Sequence, residues 1–314
     1  MRRALLLLAT LAMPPVAPSA AQAQAPTTIV VNFGAGGSAD RMARLLAPVM
    51  SELLSSQVIV KNTTGAAGVI GAAEVARARP DGTTLLLSTT GPMAIQPHIR
   101  SDLPYRMADF VPLCQIGDAP VMMMAAPNGP VRDAASLVAQ ARAARGGFTY
   151  GSAGQGSIPH IVMVEMARRA NVEMIHVPFR GSAEAVISLL RGDVMVYSDL
   201  PGPLRANNLH PVGVMAATRT AEFPEVPTLR EQGFDLVHSI WTGLFAPAGT
   251  PDPVLDRLQA ACEYGLQRAP VIEGFRRLDT PVVFRNPTDF AAFWRAELAK
   301  FESIVRESGI RAGD

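Results

Sequence analysis

Apolar residues along this chain switch repeatedly between two rhythms. Residues 28–33 form an almost unbroken apolar run, as a strand buried on both faces requires. Met42, Leu45, Leu46, Val49, Met50 and Leu53 then recur at helical spacing on one face. Residues 58–60, a glycine-rich loop at 65–71, an alanine-rich helix ending near Arg79, and residues 83–87 repeat the plan. Strands separated by helices predict a mainly parallel sheet. Ser38 suits the N-cap of the first helix, and Pro48 is expected to bend or shorten it.

The composition changes at residues 118–130, where the apolar run 121–126 is flanked by Pro120 and by Pro127-Asn-Gly-Pro130. A crossing to a second lobe is expected there. A loop at 151–157, a helix over 158–170, a strand at 174–177, a loop at 178–182 and a helix to Arg191 build another β-α series. After residues 212–217 the chain carries Pro224, Pro227, Pro247, Pro251 and Pro253, as a return crossing and surface connections would. The C-terminal region reads as helical, with Leu255, Leu258, Cys262 and Leu266 on one stripe. Phe290, Phe293, Trp294, Leu298, Phe301 and Val305 form another, and both are assigned to the core. The fold class is therefore α/β with two lobes and two inter-lobe crossings. Residues 26–118 plus 219–314 are assigned to the first lobe and 119–218 to the second.

The N-terminus adds a location. Met1-Arg2-Arg3 is a basic start, residues 4–12 are apolar and leucine-rich, and Ala21-Gln-Ala-Gln-Ala25 offers an Ala-x-Ala cleavage site. Residues 1–25 thus read as a cleavable signal peptide, with an apolar core much shorter than the roughly 20 residues of a membrane span. The formal charge of +1 includes Arg2 and Arg3. No Lys/Arg block remains after cleavage, so no nucleic-acid partner is expected. The two cysteines, Cys114 and Cys262, are open to a disulfide in an oxidising compartment or to two separate buried thiols. The five histidines lack metal-site spacing, so no metal and no cofactor are expected.

The candidate chemistry lies in loops that follow strands and open onto helices. Gly34-Ala-Gly-Gly-Ser-Ala-Asp40 and Gly151-Ser-Ala-Gly-Gln-Gly-Ser157 are poor in side chains, and the free N–H groups of a helix start favour an anion. Two such cradles suggest a ligand held from opposite sides, at the cleft between strand ends. The first loop fits G-x-G-x-x-A, but Lys61-Asn62 stands where a ribose-binding acid is required. The second has Ser157 where a phosphate-binding loop needs Lys. No G-x-S-x-G is present, and Ser157 with His160 is better explained as a cap and a first-turn residue than as a nucleophile and its base. The loop His176-Val-Pro-Phe-Arg-Gly-Ser182 adds a cation: Arg180 either reaches a carboxylate or is a solvated surface side chain. Ser182 is read as a helix cap. Ser88 and Thr89 supply hydroxyls at a further strand end, and Asp40 is read as holding its loop rather than touching an anion.

Taken together, Phe33-Gly-Ala-Gly-Gly-Ser-Ala-Asp40, Gly65-Ala-Ala-Gly-Val-Ile-Gly71, Pro80-Asp-Gly-Thr-Thr-Leu85, Asp109-Phe-Val-Pro112, Tyr150-Gly-Ser-Ala-Gly-Gln-Gly-Ser157 with His160, His176-Val-Pro-Phe-Arg-Gly181, Pro224-Glu-Val-Pro-Thr228 and the run from Trp241 to Pro251 resemble the Bug family. These are extracytoplasmic solute receptors of tripartite tricarboxylate transporters. The resemblance implies a periplasmic two-lobe receptor of the type II binding-protein fold that holds a small carboxylate. Carried over by position, it implies a site of Phe33, Gly36, Gly37, Ser38 and Asp40, facing Ser152, Gly154, Gly156, Ser157 and His160, with Phe179, Arg180, Gly181 and Ser182 behind. Ser88 and Thr89 join from the residue reading. The chain departs from the family's usual pattern at Gly34, at Phe179-Arg180 and at Arg191-Gly192. The expected role is a monomeric, non-enzymatic receptor that delivers its ligand to membrane subunits. A sensory receptor presenting the same ligand to a signalling partner, and a secreted serine hydrolase using Ser157 and His160, are the alternatives.

Overall fold

The computed structural model describes residues 25–311, so the signal-peptide expectation lies almost wholly outside the described residues. The first lobe opens with β1 (Thr27–Val31), α1 (Ser38–Leu54), β2 (Val58–Asn62), α2 (Val69–Ala76) and β3 (Thr84–Thr89). β1 pairs in parallel with both β2 and β3, which explains its near-continuous burial: Ile29, Val30 and Val31 are fully enclosed. A helical turn at Gly91–Ile95, α3 (Gln96–Ile99) and the long β4 (Phe110–Pro120) follow.

The chain then crosses at Val121 into a second sheet. This lobe contains β5 (Met122–Ala125), α4 (Ala134–Ala143), β6 (Phe148–Ser152), α5 (Ile158–Ala170), β7 (Met174–Pro178), α6 (Ser182–Arg191), β8 (Val196–Asp199), α7 (Gly202–Ala206) and β9 (His210–Val214). It returns through β10 (Ser239–Pro247) to the first lobe, which α8 (Asp252–Leu266), α9 (Ala269–Arg277), β11 (Val282–Arg285) and α10 (Pro287–Ser308) complete. The return lies later than position 219. Val214 bridges Thr228, and Phe223 and Val226 pack with the second lobe's core, so residues 219–237 are seated on that lobe.

Strand order is β11-β4-β10-β3-β1-β2 in one sheet and β7-β6-β8-β5-β9 in the other. Both sheets are mixed rather than mainly parallel. β10 runs antiparallel between β3 and β4, and β5 runs antiparallel between β8 and β9, because these strands adjoin the crossings and arrive from the opposite lobe.

α1 continues through Pro48, contrary to the expected shortening. Pro48 sits on the exposed face, where water can satisfy the carbonyl that the missing N–H leaves free. Neither Ser38 nor Ser182 is an N-cap: Gly37 and Gly181 hold those positions, and the serines are the first helical residues. α10 lays Phe290, Phe293 and Trp294 against Trp241 and Phe245 of β10. Both indole N–H groups are satisfied, Trp241 by Glu297 at 3.1 Å and Trp294 by the Met93 carbonyl at 2.7 Å. The pairing left open for the cysteines resolves as a disulfide joining β4 to α8 through Cys114 and Cys262.

Candidate functional site

Three helices begin at the interface between the lobes. α1 starts after Gly37, α5 after Ser157 and α6 after Gly181, and each of these preceding residues has extended backbone with no side-chain cap on its helix. The first-turn N–H groups of α1 and α6 and the Ile158 N–H of α5 are therefore left for another acceptor, and the positive ends of the helix dipoles add to them, whereas Pro159 has no N–H and that of His160 donates to the Ser157 carbonyl at 3.1 Å. Between them lies a cavity of about 50 Å³. That is room for roughly three to five water-sized groups.

Of the expected site residues, Phe33, Gly37, Ser38, Thr89, Ser157, Gly181 and Ser182 line this cavity. Ile158, Leu200 and Ile240 give it apolar walls, and among the described residues no Lys, Arg or His borders it. An anion held here would be met by backbone N–H groups and by the hydroxyls of Ser38 and Thr89, since those of Ser157 and Ser182 donate to the Gly154 carbonyl and to Asp199; among the described residues Asp199 is the one charged side chain on the wall.

The lobes touch around this cavity. The Gly34 N–H donates to the Arg180 carbonyl at 3.2 Å, and Gln96 Nε2 donates to the Gln155 carbonyl at 2.6 Å. A side chain on Gly91 would meet the Gly156 carbonyl at 3.2 Å, and one on Gly181 would meet the Gly34 nitrogen at 3.1 Å. Glycine at both positions lets the two backbones approach.

The remaining expected residues stand behind or beside the cavity. Asp40 holds the first loop: its carboxylate accepts from the Gly36 N–H at 2.8 Å, from Asn62 Nδ2 at 3.0 Å and from Arg44 Nε at 3.0 Å. Burial alone would raise its pKa, but the hydrogen bonds from Arg44, Gly36 and Asn62 outweigh that and hold it below the usual carboxylate value. Gly36 borders an outer groove with Arg41. Ser88 is buried and accepts from Asn32 Nδ2 at 2.9 Å. Gly156 packs against the side chain of Gln96.

Gly154, Phe179 and Arg180 line a separate opening between the lobes, so Arg180 does not enter the inner cavity. Ser157 donates to the Gly154 carbonyl at 2.6 Å, and His160 Nδ1 accepts the Gly156 N–H at 3.2 Å. Each thus has its own loop-holding partner. The serine–histidine contact that does form joins Ser152 Oγ to His176 Nε2 at 2.6 Å. The His160 and His176 rings lie 4.3 Å apart beside Tyr150. Burial lowers the pKa of His160 to about 3, helped by His176, and that of His176 to about 4, so both rings are neutral.

Asp199 was missed by the sequence reading. It ends β8, where Oδ2 accepts from Tyr197 Oη at 2.7 Å and from Ser182 Oγ, and Oδ1 accepts from the Leu200 N–H at 2.8 Å. Burial pushes its pKa up, against the pull of those hydrogen bonds. The available signal was positional, an acid at a strand's carboxyl end just before Leu200-Pro201. It belongs to no motif.

Residues 42–310 match the family described as tripartite tricarboxylate transporter family receptor. Protein BugT of Bordetella pertussis is 32% identical over 293 residues, covering 91% of this chain and 90% of BugT. Among solved structures, the periplasmic binding protein BugD superposes with a TM-score of 0.87 at 28% identity, covering 92% of this chain and 99% of BugD. MatC from Rhodopseudomonas palustris, with bound malate, gives 0.84 at 30% identity, covering 89% and 99%. The chain belongs to the tripartite tricarboxylate transporter receptor family, whose members are periplasmic solute-binding proteins rather than enzymes.

Proposed function

We propose that this chain is a periplasmic receptor that closes on a small carboxylate and hands it to the membrane subunits of a tripartite tricarboxylate-type transporter. The observation that carries this reading is the cavity among the starts of α1, α5 and α6, bordered by Ser38, Thr89, Ser157 and Ser182 and, among the described residues, by no cationic side chain. Helix-start amides can substitute for the hydration shell of one carboxylate. The malate held by MatC supports an organic acid as cargo. Export by residues 1–25 and a site centred on Phe33, Gly37, Ser38, Thr89, Ser157, Gly181 and Ser182 are parts of the same proposal.

The test is calorimetry and thermal melting of the mature chain against a panel of mono-, di- and tricarboxylates. A binding acid at a hundredfold excess over its Kd should stabilise the protein by about 2.7 kcal/mol. Absence of heat and of a melting shift for every member of the panel would refute the proposal.

A further inference from the structure

α10 belongs to the first lobe, yet the segment that follows it lies against the second. Phe290 and Trp294 of α10 pack on Phe245 of β10. The helix ends at Gly309, whose φ of +70° and N–H bond to the Val305 carbonyl at 3.0 Å close it with a left-handed turn. Beyond that turn the chain meets the second lobe. Ile310 is buried, and with Gly309 it walls an opening of about 640 Å³ that is bounded on the other side by Tyr150 of β6, Val164 of α5 and Met174 of β7.

Two side chains of the second lobe hold this segment. Arg168, in the last turn of α5, donates through Nη1 to the Glu307 carbonyl at 2.8 Å. That carbonyl is among the last four of α10, which have no partner within their helix, and a cation there suits the negative end of the dipole. Gln155 donates through Nε2 to the Arg311 carbonyl at 3.1 Å, while its own carbonyl accepts from Gln96 Nε2 of α3 at 2.6 Å. The first lobe therefore holds Gln155 twice, by its backbone from α3 and by its side chain from the segment after α10.

Gln155 stands in the loop between Ala153 and Ser157, both of which line the inner cavity, but is not itself on that wall. Whatever fixes Gln155 thus fixes the loop that faces the cargo. The two crossings tie the lobes covalently. A tie made of two hydrogen bonds and one buried side chain can be formed and released, so it favours the lobes together without locking them.

We propose that residues 309–311 are a strap that holds the lobes closed, and that Gln155 is the positioning residue through which the strap sets the loop 151–157 against the cargo. The part that concerns the cargo rests on the receptor function proposed above.

The test is hydrogen exchange of the mature chain, without ligand and with saturating malate, succinate or adipate. Gln155→Glu, which keeps the length of the side chain but removes the donor, and a chain ending at Ser308 should each exchange the amides of 151–157 roughly 3- to 10-fold faster than wild type, as loss of one hydrogen bond implies. In Gln155→Glu, residues 27–54 should exchange as in wild type. By reciprocity, an acid that binds the wild type should slow exchange at 309–311, although these residues lie outside the inner cavity, and should bind Gln155→Glu more weakly by a similar factor. Unchanged exchange at 151–157 in both variants, or exchange at 309–311 that ignores a bound acid, would overturn the strap. If none of the acids binds, the receptor function fails, while exchange of the ligand-free variants still decides the strap.

Discussion

Replacing Gly154 with alanine should separate closure of the receptor from its folding. Gly154 lies in the loop after β6 with φ +105°, and an added Cβ would come within 2.9 Å of the Ala67 Cβ, 3.0 Å of its Cα and 3.2 Å of its nitrogen. Two costs follow, and they fall on different states. The backbone strain, about 1–3 kcal/mol, is present whether the lobes are apart or together, so it lowers the melting temperature of the ligand-free protein. The contact with Ala67 spans the lobes and exists only when they meet. Overpacking of this kind costs about 1–3 kcal/mol. Charged to the closed state alone, it weakens ligand binding by roughly 5-fold to 140-fold, since the bound form must overcome it. Calorimetry on the variant with an acid that the wild type binds gives the affinity, and melting without ligand gives the strain. An unchanged Kd, whatever happens to the melting temperature, would refute the idea that this contact guards closure.

Two further outcomes are expected. Reducing the Cys114–Cys262 disulfide, which closes a separation of 148 residues, should destabilise the protein by about 2–5 kcal/mol; urea unfolding with and without reductant measures this, and coincident curves would contradict it. His160 and His176 are held neutral with folded values near 3 and 4, below the unfolded value of about 6.5. The unfolded chain therefore takes up protons first as pH falls, so their contribution is complete above about pH 6.5 and is lost progressively toward pH 4. Urea midpoints at about pH 7 and about pH 4.5 should differ in that sense, and equal midpoints would count against burial of the two rings.

The β-loop-α rhythm was legible because burial on both faces of β1 and one-sided burial of α1 leave opposite signatures in the apolar pattern. The family motifs located the loops that meet at the cleft for the same reason that glycine recurs there: backbones approach each other at Gly91 and Gly181. Strand direction was not legible. β10 and β5 run antiparallel to their neighbours because of where the crossings put them, and nothing in residues 239–247 or 122–125 encodes that. The caps were misplaced by one residue at Ser38 and Ser182, since serine's usual preference was applied where an extended glycine already stood in front. The setting of Asp199 depends on Ser182, 17 residues earlier in the chain. Local pattern carries no trace of that contact.

The place of β10 in its sheet has a consequence for how the protein comes into being. It lies between β3 and β4, yet it is made only after the whole second lobe. Until residues 239–247 appear, β3 presents one unpaired edge and β4, whose other neighbour β11 is made later still, presents two, and a growing chain with open edges invites pairing with a stranger. The same delay keeps the first lobe unfinished until the second lobe has been made. A circular permutant beginning at β10 would close that gap at the outset and should fold sooner.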